Sequence, residues 1–172
     1  MYPITRWCIV FVALLITVPA TCIYAQQKAA EADIENIRTA FKEINSKPLI
    51  KEHYTYEAAG CADDGVVDYY LDKQQIVKIK ESGSAGDGSW STEYYYRNGD
   101  LIFIYETLIG GPANGKVEKT EYRVYVKGGR VLRFMDNQKI IPASSKAGEL
   151  TETAIKLWKA HATKKFAEVL CN

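Results

Sequence analysis

Between Ala29 and Ile44 the apolar residues Ile34, Ile37, Phe41 and Ile44 recur every three or four positions, with acids and bases between them. That spacing predicts one apolar stripe along a helix. Asn45-Ser46-Lys47-Pro48 supplies its stop. The period then falls to two. Lys51 to Ala58 alternates weakly and reads as a first strand, and Gly60 to Gly65 reads as a turn or loop.

Three segments of one shape follow: DYYLDKQQIVKIKE from Asp68, EYYYRNGDLIFIYE from Glu93 and RVYVKGGRVLRFMD from Arg123. Each predicts a strand, a two-residue turn and a returning strand. Asn98-Gly99 and Gly128-Gly129 tolerate the positive φ of a type I′ turn, whereas Lys73-Gln74 is poorer turn chemistry. Two-residue turns would set Tyr70 opposite Val77, Tyr95 opposite Ile102 and Tyr125 opposite Leu132. Ile79, Ile104 and Phe134 would share that face, giving each hairpin a Tyr and two large apolar residues on an inner side.

The other face differs from hairpin to hairpin. Val67, Tyr69, Leu71 and Ile76 with Lys78 and Lys80 form it in the first, and Val124, Val126, Val131 and Arg133 in the third. In the middle hairpin it is aromatic, with Tyr94, Tyr96, Phe103 and Tyr105 beside Leu101. Aromatic side chains offer contact area at small entropic cost and, in Tyr, a polar tip, which suits sugar and peptide surfaces. Tyr94, Tyr96, Phe103 and Tyr105 are therefore the expected binding face. The competing explanation is that strands favour aromatics anyway and a helix covers them.

Polar, Gly-rich stretches join the hairpins, SGSAGDGSWS from Ser82 and GGPANGK from Gly110, and read as mobile linkers. From Glu149 to Leu170 a second helix carries the stripe Leu150, Ala154, Leu157, Trp158, Ala162, Phe166 and Val169. The expected class is α+β: an N-terminal helix, an antiparallel meander of about six or seven strands, and a C-terminal amphipathic helix.

The first 25 residues change the compartment. Arg6 is followed by the uncharged apolar run Cys8–Val18, then Pro19 and a small residue at Ala25. The run is short of the roughly 20 residues of a membrane span and fits a cleavable signal peptide. Residues 1–25 are thus expected to be removed near Ala25. Residues 26–172 would form one secreted or periplasmic domain, with no membrane span left after cleavage. Pro19-Ala20-Thr21 before Cys22 lacks the Leu and small-residue pattern of a lipid-attachment site. Cys61 and Cys171 remain, and two thiols in an oxidising compartment are expected to pair.

The net charge of +1, with signs interspersed, excludes a nucleic-acid stripe. His53 and His161 are the only histidines, so a three-histidine zinc site cannot be assembled from one chain. GxSxG, HExxH and phosphate-loop patterns are missing. Asp63-Asp64 and Asp87 lack calcium-loop spacing and read as turn acids beside glycines. No catalytic residue, metal or cofactor is expected. An enzyme would need ionisable groups gathered by the fold, for example Asp68, Glu93 and Arg123, which occupy matching inner-face positions in the three hairpins.

The segment EYYYRNGDLIF resembles the hairpin unit of MORN-type repeats, although the glycines that link such units are missing. No function follows from that likeness. Ser82-Gly83-Ser84-Ala85 with Trp90 is similar to the cleft-plugging loop of exported bacterial lysozyme inhibitors, without its Lys and Tyr. That resemblance implies a second binding set: Ser82, Ser84 and Trp90. The first expectation is an exported bacterial-type domain that is not an enzyme and binds a ligand, or a protein or glycan partner, in the cell envelope or outside the cell. Inhibition of a secreted hydrolase through residues 82–91 is the alternative.

Overall fold

The computed structural model describes residues 20–111 and 115–171, with side chains described from residue 30 onward. Most of the expected signal peptide lies outside these residues, as do 112–114 of the second linker. Among the described residues no helix is long and apolar enough to cross a membrane.

The fold is α+β. Helix α1 (Ala20–Ser46) leads into one antiparallel sheet of eight strands: β1 (Ile50–Ala58), β2 (Ala62–Asp72), β3 (Gln75–Ala85), β4 (Gly88–Arg97), β5 (Asp100–Gly110), β6 (Glu118–Lys127), β7 (Arg130–Asp136) and β8 (Lys139–Ile141). Spatial order equals chain order, so the sheet is a plain meander. The strand beyond the expected number is β8, a short edge made by a turn in which Asn137 takes φ 53°. Asn98 and Gly99 both have positive φ (54° and 86°), as the type I′ turn demands. Lys73 adopts φ 60° in the first hairpin without a glycine's freedom.

The first linker is not a mobile loop. Ser82 pairs with Ser91, Gly83 with Trp90 and Ser84 with Ser89, and the hairpin closes at Gly86-Asp87. The Trp90 ring explains the glycine opposite it. A Cβ at Gly83 would lie 2.7 Å from Trp90 Cζ2, closer than atoms approach.

The register expected from two-residue turns holds only beside each turn. Beyond it Tyr95 faces Phe103 rather than Ile102, Tyr70 faces Lys78 rather than Val77, and Tyr125 faces Arg133 rather than Leu132. A β-bulge sits at the same place in all three hairpins, after Tyr70, Tyr95 and Tyr125. It admits one extra residue on the returning strand, and a one-residue slip moves every later side chain to the opposite face. Ile79, Ile104 and Phe134 therefore leave the expected inner face and join Tyr69, Tyr94, Tyr96, Val124 and Val126. Phe103 joins Tyr95 and Tyr125, with Val77, Ile102 and Leu132 packed at the margin. The aromatic set Tyr94, Tyr96, Phe103 and Tyr105 is divided between the two faces.

Each face has its own helix. Ile34, Ile37 and Ile44 of α1 pack on Tyr95, Phe103 and Tyr125. The other face is covered by α2 (Ser145–Thr163) and α3 (Phe166–Leu170) through Ala147, Leu150, Ala154, Leu157, Ala160 and Phe166. The expected single C-terminal helix is broken at Lys164, which caps α2 in the left-handed conformation with its amide donating to the Ala160 carbonyl. The Tyr69 and Tyr96 hydroxyls donate to the Leu157 and Ala154 carbonyls at 2.7 and 2.9 Å, fixing α2 on the sheet. Cys61 and Cys171 form a disulfide that ties the end of α3 to the β1–β2 connection.

Candidate functional site

The α1 side of the sheet is not filled. Between the helix and strands β5 and β6 runs a groove of about 350 Å³. Its walls are Ile37 and Phe41 from α1 and Phe103, Tyr105 and Tyr125 from the sheet; Arg38, Lys42 and Arg123 stand at its rim. Helical spacing sets Phe41 one turn beyond the buried Ile37 and Lys42 one turn beyond Arg38. Phe41 packs edge-on against Phe103 with ring centroids 5.5 Å apart and lies 4.9 Å from Tyr95. Phe103 and Tyr125 are 4.9 Å apart.

The cations are placed by the same rings. The Arg38 guanidinium lies 5.9 Å from the centre of Tyr125, and that of Arg123 lies 5.3 Å from Tyr105. Hydrogen bonding to Tyr125, and then to Glu35, raises the Arg38 pKa further above its usual value. Arg123 donates to Glu121 at 2.5 Å and to the Asn137 carbonyl at 2.6 Å. Lys119 chiefly, then Tyr105, holds the Glu121 carboxyl below the ordinary range, so Glu121 orients both the ring and the guanidinium. The groove can take an apolar body between its rings and hold negative charge at its rim.

Of the first expected binding set, Phe103 and Tyr105 line this groove. Tyr94 and Tyr96 lie on the opposite face, 1% and 3% exposed. Tyr96 packs on Trp158 at 4.7 Å, and burial drives the Tyr94 hydroxyl pKa well upward. The second set is tied down. Asp64 accepts from the Ser84 amide at 2.6 Å and from its hydroxyl at 2.7 Å, while Ser82 sits in the β3–β4 ladder. The Trp90 indole donates to Glu81 at 2.7 Å. Asp63 accepts from the Gly86 amide at 3.2 Å, so both acids clamp the hairpin tip.

Asp68, Glu93 and Arg123 fall in one cross-strand row, with Lys80 and Tyr105 between them. Each has separate partners: Asp68 meets Lys51 at 2.8 Å and His53 at 2.6 Å, and Glu93 meets Lys78 at 2.8 Å. Among the described residues no group of three or more His, Cys, Asp and Glu is placed to hold a metal ion.

Sequence reasoning missed Arg38, Phe41, Lys42 and Tyr125 as groove residues. The available signal was the neighbourhood of Ile37 on the helix stripe, but which strands it faces depends on the bulges. No family model, curated protein or solved structure matches this chain.

Proposed function

We propose that the protein is an exported, non-catalytic binding domain of the cell envelope or extracellular space. Its ligand is an amphiphilic organic anion held in the groove between α1 and the sheet. One juxtaposition carries the reading: an open aromatic-walled groove with Arg38, Lys42 and Arg123 at its mouth. Mostly apolar walls favour an apolar body over a glycan, whose hydroxyls need many polar partners. The leader-like segment 1–25 and the Cys61–Cys171 bridge support export.

The test is a fluorescence titration with anilinonaphthalene sulfonate, using the uncharged N-phenylnaphthylamine as comparator. Saturable binding of the anion is expected, weakened roughly tenfold by Tyr105→Ala and by the pair Arg38→Gln with Lys42→Gln. Equal binding of the two probes, or no response to these substitutions, would remove the reading. A second reading, inhibition of a secreted hydrolase, draws on the exposed hairpin tip at Gly86-Asp87, which Asp63 and Asp64 hold in place. Stoichiometric loss of activity in a hydrolase panel, abolished by Asp64→Ala, is its expected signature.

A further inference from the structure

On the opposite face, independent of the groove, three polar side chains stand in one cross-strand row. Glu81 on β3 pairs with Thr92 on β4, and Thr92 with Glu106 on β5. They point toward α2, because Val67 in the same row belongs to the core on that side. Glu81 and Glu106 are each only 5% exposed, and Thr92 only 1%. Two carboxylates this deep are costly unless their charge is met.

The compensation is unequal: Glu106 has a lysine beside it, while Glu81 is held by neutral donors. Glu81 Oε1 accepts from the Tyr56 hydroxyl at 2.6 Å and from Trp90 at 2.7 Å, both neutral donors. Glu106 Oε1 accepts from Lys146 at 3.0 Å and weakly from Thr92 at 3.4 Å. Glu106 Oε2 is buried and takes no hydrogen bond. Lys146 Nζ lies 2.7 Å from it, so one ammonium group straddles both oxygens of the Glu106 carboxylate. Lys146 also sits in the first turn of α2, where the helix dipole disfavours a cation, and its side chain is partly exposed.

These groups line a cavity of about 230 Å³, walled further by Tyr56, Trp90 and Tyr94, with the exposed Glu149 beside it. Acids outnumber the single lysine there, and three of the lining side chains are aromatic. We infer that this cavity is a binding site for an alkylammonium group, which lies against Glu106 and Glu81 between the aromatic rings and displaces Lys146 outward. Carboxylates supply the charge, and Tyr and Trp faces supply the cation–π wall that an ammonium ion prefers to a compact metal ion. The ammonium can come from a free amine or from a lysine side chain of a peptide.

The test is calorimetric titration of the purified protein with n-butylammonium at fixed ionic strength, with n-butanol as the neutral match and tetralysine amide as the peptide source. Saturable binding of butylammonium, tetralysine or both is expected, with none for butanol. Glu106→Gln should weaken it roughly tenfold. Lys146→Met, a partly exposed position, should strengthen it several-fold by removing the internal competitor. Response to butylammonium identifies a free amine as sufficient, and response to tetralysine alone identifies a peptide side chain. Absence of binding by both cations, equal binding of butanol, or a Lys146→Met variant that binds more weakly would overturn the inference.

Discussion

On the α2 side of the sheet Tyr69, Tyr94 and Tyr96 are buried, two of their hydroxyls end on helix carbonyls, and a disulfide fixes the covering segment. On the α1 side Phe41 and Tyr105 stay half-exposed beside Arg38, Lys42 and Arg123. Besides the apolar stripe of Ile34, Ile37 and Ile44, the ties from α1 are ion pairs at its edges: Arg97 to Glu43 at 3.2 Å, Lys127 to Asp33 at 2.6 Å, and Arg133 to Glu31. Such exposed pairs contribute at most about 1 kcal/mol each. Both faces carry a buried apolar cluster, but the covalent tie and the hydroxyl-to-carbonyl bonds lie on the α2 side, and the α1 side leaves an aromatic groove.

Breaking the covalent tie should have the largest effect. Cys61 and Cys171 are separated by 110 positions, and opening a loop of that length removes up to about 4–5 kcal/mol in the chain-entropy model. Thermal unfolding with and without reductant should show a large fall in Tm, which Cys61→Ser with Cys171→Ser reproduces. Next comes Leu157→Ala on α2. It removes a fully buried side chain and is expected to cost about 2–5 kcal/mol in denaturant titration. Phe41→Ala on α1 removes a half-buried ring and should cost less, about 1–2 kcal/mol, while emptying the groove wall. Equal costs for these two would erase the contrast between the faces.

A pH series sharpens the same comparison. Burial raises the Glu81 pKa above its ordinary 4.5, despite the bonds from Tyr56 and Trp90 that oppose the shift. The unfolded chain therefore releases this proton at lower pH than the folded one. The contribution is complete below pH 4.5 and is lost as pH rises through the higher folded value. Glu81→Gln should flatten that part of the stability–pH curve. The smallest effect is local: Lys73→Asn relieves the left-handed backbone at the β2–β3 turn and should raise stability by about 0.5–1 kcal/mol in the same titration.

The hairpins and most of both helical stripes were legible because each rests on residue type at short range, and the cysteine pair because only Cys61 and Cys171 follow the expected leader; Ala162 of the second stripe is exposed just before the break at Lys164. Asn98-Gly99 names its turn wherever it occurs. The bulges after Tyr70, Tyr95 and Tyr125 were not legible, because strand twist decides where an extra residue is accommodated and no residue type marks it. That one displacement moved Ile104 away from Tyr95 and divided the expected aromatic face. Composition also misread residues 82–91. Gly83 is small to accept the Trp90 ring, and Asp64 replaces water as the partner of Ser84. The row Glu81–Thr92–Glu106 exists only through three-strand register, which spacing within a single segment does not reveal.

The central claim is that the α2 face buries its tyrosines Tyr94 and Tyr96, while the α1 face presents Tyr105 in an open, ligand-accepting groove. Tyrosine nitration mapped by mass spectrometry, with and without saturating anilinonaphthalene sulfonate, tests it most directly. Tyr105 is expected to be nitrated in the free protein and protected by the ligand, while Tyr94 and Tyr96 stay unmodified in both samples. Nitration of Tyr94 or Tyr96 in the folded protein, or Tyr105 modification that the ligand leaves unchanged, would contradict the account.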